Sequence, residues 1–195
     1  MSVKLAKIAL VPVFVLAAVS LCFAEQSVNI PVSAEIGPLA SSLNVTVTRV
    51  TVADNSQTVI NPPAMDFEEL VHDAENHIFG ARYYFYVDVG VVDNTGTNWT
   101  ITHTRTDFTN GTENLNNNVN VTFTKEGSGA GQLDYVSYQN SNNKQYTKLA
   151  LAGGWLRTYY GVGMGGGLDA PGVDPIPETK TAGSYAGTVT FTVSP

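Results

Sequence analysis

Cysteine is almost absent from this 195-residue chain: Cys22 is the only one. A disulfide framework, a cysteine nucleophile and a thiolate metal site are therefore excluded downstream of it. Charge is sparse as well, with Asp, Glu, Lys and Arg together at 14% of residues. The ten Lys and Arg residues are scattered against seventeen Asp and Glu, for a net charge of −7. Neither balance nor spacing suits binding to a phosphate backbone, so nucleic acid is excluded as a partner. The same balance opposes electrostatic adhesion to anionic lipids or anionic wall polymers. Heptads and internal repeats are missing, and no Gly-x-Ser-x-Gly elbow occurs.

One long apolar run exists, and it is N-terminal. Lys4 and Lys7 precede a nearly unbroken apolar stretch, residues 8–21, and Cys22-Phe23-Ala24 then puts a small residue before Glu25. This is the layout of a secretory signal peptide over residues 1–24. The run is short and wrongly flanked for a membrane span, which leaves an uncleaved N-terminal anchor as the lesser reading, and Leu21 rather than a small residue before Cys22 argues against lipidation. Removal of this leader takes Lys4 and Lys7 away, leaving eight basic and seventeen acidic residues, a net charge of −9. The remaining chain, residues 25–195, is large enough to bury a core without disulfides and is expected to form one domain.

What is abundant is period-two alternation. Leu43, Val45 and Val47 alternate with Asn44, Thr46 and Thr48, and Phe85, Val87, Val89 and Val91 share one parity. Trp99, Ile101 and His103 alternate with threonines, as do Val119, Val121 and Phe123 with Asn120, Thr122 and Thr124. Residues 185–193 repeat the pattern, with Val189, Phe191 and Val193 against Thr188, Thr190 and Thr192. Alternation places one set in a core and the other in water, and threonine suits the wet face because its branched Cβ favours strands. Turn-formers such as Asn110-Gly111, residues 127–131 and residues 161–167 separate the runs. The expectation is an all-β, antiparallel sandwich of the immunoglobulin-like or jelly-roll type. Residues 65–75, with Phe67, Leu70 and Val71 at helical spacing, are expected to give one or two helical turns. Residues 171–177, holding Pro171, Pro175 and Pro177, are expected to be a long exposed connection.

Residues that carry chemistry form no convincing constellation. His72 and His77 are five apart rather than four, so with Asp73 and Glu75 they read as a solvated loop rather than a metal site. His103 sits at an inward parity and reads as a hydrogen-bonded, half-buried residue. Glu68 and Glu69 are adjacent, so their carboxylates diverge, and no acid–base pair of the glycosidase kind stands out. Asp169 and Asp174 lack the context of a calcium loop. The glycines of residues 161–167 lack the Lys-Ser/Thr ending of a phosphate loop. No catalytic residue, metal or cofactor is assigned. Asn44, Asn98, Asn110 and Asn120 begin Asn-x-Ser/Thr sequons, which an Asn- and Thr-rich chain produces by chance. The tyrosines at 83, 84, 86, 159 and 160 admit two readings: exposed aromatics on a β-face that stack on sugar rings, or, the preferred one, residues that fill the core or pack at its edge with their hydroxyls reaching water.

Two segments resemble a known family. Val91-Val92-Asp93-Asn94-Thr95-Gly96-Thr97-Asn98-Trp99-Thr100-Ile101, followed by Phe108-Thr109-Asn110-Gly111, Leu115 and Val121-Thr122-Phe123, resembles the first half of the WxL domain of bacterial cell-surface proteins. Residues 182–193 resemble that family's closing strand. Ile101 replaces the motif leucine, and Phe191 and Val193 stand where the second tryptophan and leucine belong. The resemblance implies an exported, non-catalytic protein of the cell envelope or extracellular surface that associates with a cell-wall polymer, with Trp99 and Ile101 as motif residues. The closing strand is also similar to those of small fimbrial and spore-coat-type subunits, which implies a self-assembling, homo-oligomeric structural protein whose partners are like subunits. Ser27 to Glu35, with Val28, Ile30 and Val32 on one parity, is then the candidate donor strand.

Overall fold

The computed structural model describes residues 41–93, 98–127 and 129–194. The candidate leader (residues 1–24) and the candidate donor strand with Val28, Ile30 and Val32 lie outside the described residues.

Twelve strands dominate the described chain: β1 (Ser41–Thr51), β2 (Gln57–Ile60), β3 (Val71–Asp73), β4 (Ile78–Gly80), β5 (Tyr83–Asp93), β6 (Thr100–Arg105), β7 (Val119–Glu126), β8 (Gly131–Ser137), β9 (Lys144–Thr147), β10 (Trp155–Val162), β11 (Ile176–Pro177) and β12 (Val189–Ser194). They form a six-stranded sheet in the order β2-β1-β5-β10-β7-β8, a three-stranded sheet β12-β6-β9, and a small sheet β11-β4-β3. Every strand pairing is antiparallel. The first two sheets pack face to face, as the alternation predicts. Val47, Phe85, Val87, Val89, Leu156, Val121 and Phe123 meet Ile101, Tyr146, Val189, Phe191 and Val193 in one core. Phe123 joins the layers directly, with ring centroids 5.1 Å from both His103 and Tyr146.

Two local expectations are corrected. Residues 65–75 contain no helix: Val71–Asp73 is β3, and Glu68 takes a positive φ of 57°. Two of the apolar residues at helical spacing serve tertiary contacts instead: Phe67 meets Phe85 edge-on at 5.1 Å and Leu70 packs against the cluster of Leu115, Val162 and Ile176, while Val71 stays exposed. Packing of that kind overrides a weak local helical preference.

The proline segment is not a free loop either. Ala170, Val173 and Ile176 are buried, and β11 pairs with β4. Asparagines at the start of β7 hold it down. Asn118 donates to the carbonyls of Asp174 (3.0 Å) and Pro175 (3.2 Å), while Asn120 donates to Asp169 (2.6 Å) and accepts from the Ala170 N–H (2.7 Å). Asp169 also accepts backbone N–H bonds from Met164 and Gly165, which closes the glycine-rich turn. Gly163 is required here by space: a Cβ would stand 2.9 Å from Val173 and 3.0 Å from the Asp174 carbonyl.

Phe191 is fully buried between the sheets. Phe191→Ala removes its transfer energy and leaves a cavity, so equilibrium denaturant unfolding of residues 25–195 is expected to show a loss of about 3–5 kcal/mol. Thr192→Ala, on the outer parity of the same strand, is expected to change stability by less than about 0.5 kcal/mol.

Candidate functional site

The two motif segments are neighbours in space. Val193 pairs with Ile101 and Phe191 with His103 across β12 and β6. The motif side chains point inward: Trp99 is 6% exposed and Ile101 is fully buried. The Trp99 carbonyl accepts from Lys148 N at 2.9 Å, while its indole N–H finds no partner among the described residues. Neither side chain presents a surface to a polymer, so any contribution they make to binding passes through the fold.

His103 is sealed into the core. Its Nδ1 lies 2.8 Å from the Ser141 carbonyl, which can only accept, so Nδ1 carries the proton. Nε2 is then left to accept the Tyr160 hydroxyl at 2.9 Å. Burial holds the ring's pKa down at about 4 and pushes the Tyr160 hydroxyl well up. A neutral imidazole with both nitrogens engaged and no exposure is a structural hydrogen-bonding unit.

The other histidines do come together, though around an acid from far along the chain. His72 Nε2 and His77 Nδ1 lie 3.2 and 3.0 Å from the same Glu178 oxygen. The Glu178 carboxyl is lowered by its hydrogen bonds to His77 and His72. Asp73 turns away to cap its own turn through Glu75 N and Asn76. Among the described residues no group of three or more His, Cys, Asp or Glu side chains is placed to hold a metal ion. Asp169 spends its carboxylate on the N–H groups named above.

Three surfaces remain. The first is the free edge of β12, which has no strand on its outer side among the described residues. The Thr106 N–H bonds the Thr188 carbonyl at 2.9 Å. Even-numbered residues of this strand therefore face β6, and the backbone groups of Val189, Phe191 and Val193 point outward. Gly187 and Val189 share a small cavity of about 150 Å³ with Val47 and Phe67. On β1 and β5 of the larger sheet, Leu43, Val45 and Val91 pack on the core yet stay half-exposed.

The second surface is a cleft of about 660 Å³ between residues 65–70 and 180–185, floored by Phe67, Phe79, Phe108 and Ile176. The third is the outer face of the six-stranded sheet, where the tyrosines divide. Tyr160 fills the core and Tyr83 packs against it, whereas Tyr84, Tyr86 and Tyr159 take the opposite parity with Trp155, Arg157 and Asp88. Core packing was the preferred sequence reading of the tyrosines, and it holds for Tyr160 and Tyr83 but not for the outward parity of Tyr84, Tyr86 and Tyr159. The pairing of Glu178 with His72 and His77 was not legible in the sequence, because no local pattern links residues a hundred positions apart.

Protonating His103 in the fold is disfavoured relative to its unfolded value of 6.5. The unfolded chain therefore binds more protons between pH 6.5 and 4, and this contribution to stability is lost as pH falls through that window. The loss amounts to about 3 kcal/mol by pH 4. Unfolding midpoints of the native protein and a His103→Gln variant, followed from pH 7 to 4, are expected to converge as the native protein loses that advantage. Parallel curves would show that His103 does not titrate this way.

Comparison with family models, with curated proteins and with solved structures finds no match for this chain.

Proposed function

We propose that this protein is an exported, non-catalytic structural subunit of the cell surface, assembled by adding residues 27–35 of one copy to the β12 edge of the next. The observation that carries the reading is the incomplete sandwich. Among the described residues a six-stranded sheet is faced by only three strands, β12 has one line of backbone unpaired, β1 lies close to β12, and Leu43, Val45 and Val91 of the larger sheet pack on the core yet stay half-exposed. An added strand satisfies the backbone groups and covers the apolar ones at once. The sequence Ser27 to Glu35 offers Val28, Ile30 and Val32 on one parity for that purpose. The other edges suit it less. Gln57, Thr58 and Val59 of β2 are exposed, so little core lies beside them. At β8 the pairing with β7 is irregular at Phe123/Thr124, and Lys144 bonds Asp134 across to β9.

Light scattering on size-separated protein of residues 25–195 is expected to show a ladder of oligomers. Deletion of residues 25–36, or Ile30→Asp, is expected to leave a folded monomer. A synthetic peptide of residues 27–35 is expected to bind the deleted form and raise its unfolding temperature. A native protein that stays monomeric, or a peptide without effect, overturns the assembly reading.

A second reading keeps the wall-associated, WxL-like binding module. The side-by-side placement of the two motif segments in one sheet, Ile101 opposite Val193, favours it. Here the protein is expected to co-sediment with purified bacterial cell walls as a monomer. Because Trp99 is buried, its role is read with Trp99→Phe, which keeps most of the packing volume.

A further inference from the structure

We infer that the outer face of the six-stranded sheet is a binding site for a neutral polysaccharide, centred on Trp155, Tyr159 and the Arg157–Asp88 pair. This goes beyond the assembly reading and involves the opposite side of the sandwich from the β12 edge.

The face follows from register. Trp155, Arg157 and Tyr159 are successive outward residues of β10, so they form a row spanning about 13 Å. Tyr159 pairs with Tyr86 and Arg157 with Asp88 on β5, and Tyr159 and Arg157 pair with Thr122 and Thr124 on β7. The row is thus an aromatic and polar strip flanked by short hydroxyl side chains. Its ends are aromatic and its middle is polar, and sugars present the matching chemistry: apolar ring faces alternate with hydroxyl edges.

Each group is held in place before any ligand arrives. Asp88 accepts Arg157 Nε at 2.7 Å and Nη2 at 2.9 Å in a two-point pair, and also the Trp155 indole N–H at 3.1 Å. The Arg157 guanidinium lies 4.1 Å over the Tyr86 ring and 6.0 Å from that of Tyr159. The indole reaches from Asp88 on β5 toward Gly127 beyond the end of β7, where a Cβ would stand 3.2 Å from the ring. It therefore lies across the sheet rather than standing off it. Trp155 nonetheless remains 39% exposed, among the large apolar side chains that stay in water. Fixing a Trp, a Tyr and a guanidinium in one row reduces the ordering cost of binding, which is how such surfaces gain affinity without a deep pocket.

Charge selects the ligand class. Arg157 and Asp88 cancel, and Glu126, opposite Trp155, leaves the strip slightly negative on a chain of net charge −7. Anionic polymers are repelled, and a neutral glycan is not.

The test is native gel electrophoresis of the mature protein through gels containing hydroxyethylcellulose, dextran, galactomannan or polygalacturonate. Retardation in at least one neutral gel and none in polygalacturonate is expected. Trp155→Ala and Tyr159→Ala are each expected to weaken binding about tenfold, the usual size for removing one aromatic anchor. Thr58→Ala, on edge strand β2, is expected to leave it unchanged. Unfolding midpoints and near-ultraviolet dichroism of buried Trp99 check that each variant folds. Absence of retardation in every neutral gel, equal retardation in polygalacturonate, or retardation unaffected by both aromatic variants overturns the proposal. None of these substitutions touches the β12 edge, so oligomer size read on the same samples separates failure here from failure of the assembly reading.

Discussion

A hydrogen-bonded imidazole at the centre of an apolar core constrains most of this structure. His103 belongs to the three-stranded sheet, while its partner Tyr160 belongs to the six-stranded one and Ser141 to the turn between β8 and β9. Leaving any of these groups unpaired so deep in the core would cost about 1–3 kcal/mol. The two layers and the connecting turn can therefore meet in only one relative position that satisfies all of them. Phe123 and Phe191 pack edge-on to the same ring at 5.1 and 5.2 Å, so the polar and apolar demands of the interface are met by one set of contacts. Hydrophobic burial supplies the driving force, and the histidine supplies the register.

From that centre the two flanks of the sandwich differ. On the β8–β9 side the layers are tied at the margin: Lys144 and the Tyr146 hydroxyl both reach Asp134, at 2.7 and 2.8 Å. On the β1–β12 side there is no equivalent tie among the described residues, and the segment around Met65 and Phe67 covers only part of the opening. One flank is finished by side chains. Along the other, the described residues leave the outer backbone of β12 without a partner strand, an arrangement that natural sheets usually avoid or conceal.

Period-two patterning carried most of the fold in the sequence, because a two-sided strand writes its burial into alternate letters. Leu43 to Val47, Val119 to Thr124 and Val189 to Val193 occupy the strands and faces their parity implied, whereas Thr48, expected in water, is buried. What failed was local inference where tertiary contacts decide. Phe67, Leu70 and Val71 have helical spacing, yet Phe67 and Leu70 pack on apolar clusters while Val71, in β3, stays exposed. The prolines of residues 171–177 have the composition of a loose connection, but Asn118 and Asn120, some fifty positions away, hold that segment in place. The aromatic face was half legible: parity separates Tyr159 from Tyr160, but only the pairing of β5 with β10 brings Asp88 to both Arg157 and Trp155. Trp99 shows the opposite difficulty, since a motif resemblance does not distinguish a tryptophan that binds from one that packs.

The asparagine clamp on the proline segment has a consequence for where the domain can live. Small exported domains often secure long connections covalently, which makes their integrity depend on an oxidant and on correct sulfur pairing. Here that task falls to amide and carboxylate groups, and the described residues contain no cysteine. The clamp forms as soon as the chain folds and cannot be undone by a reductant. Its closure is set by folding alone, so the domain is equally well fastened in surroundings that would open a disulfide.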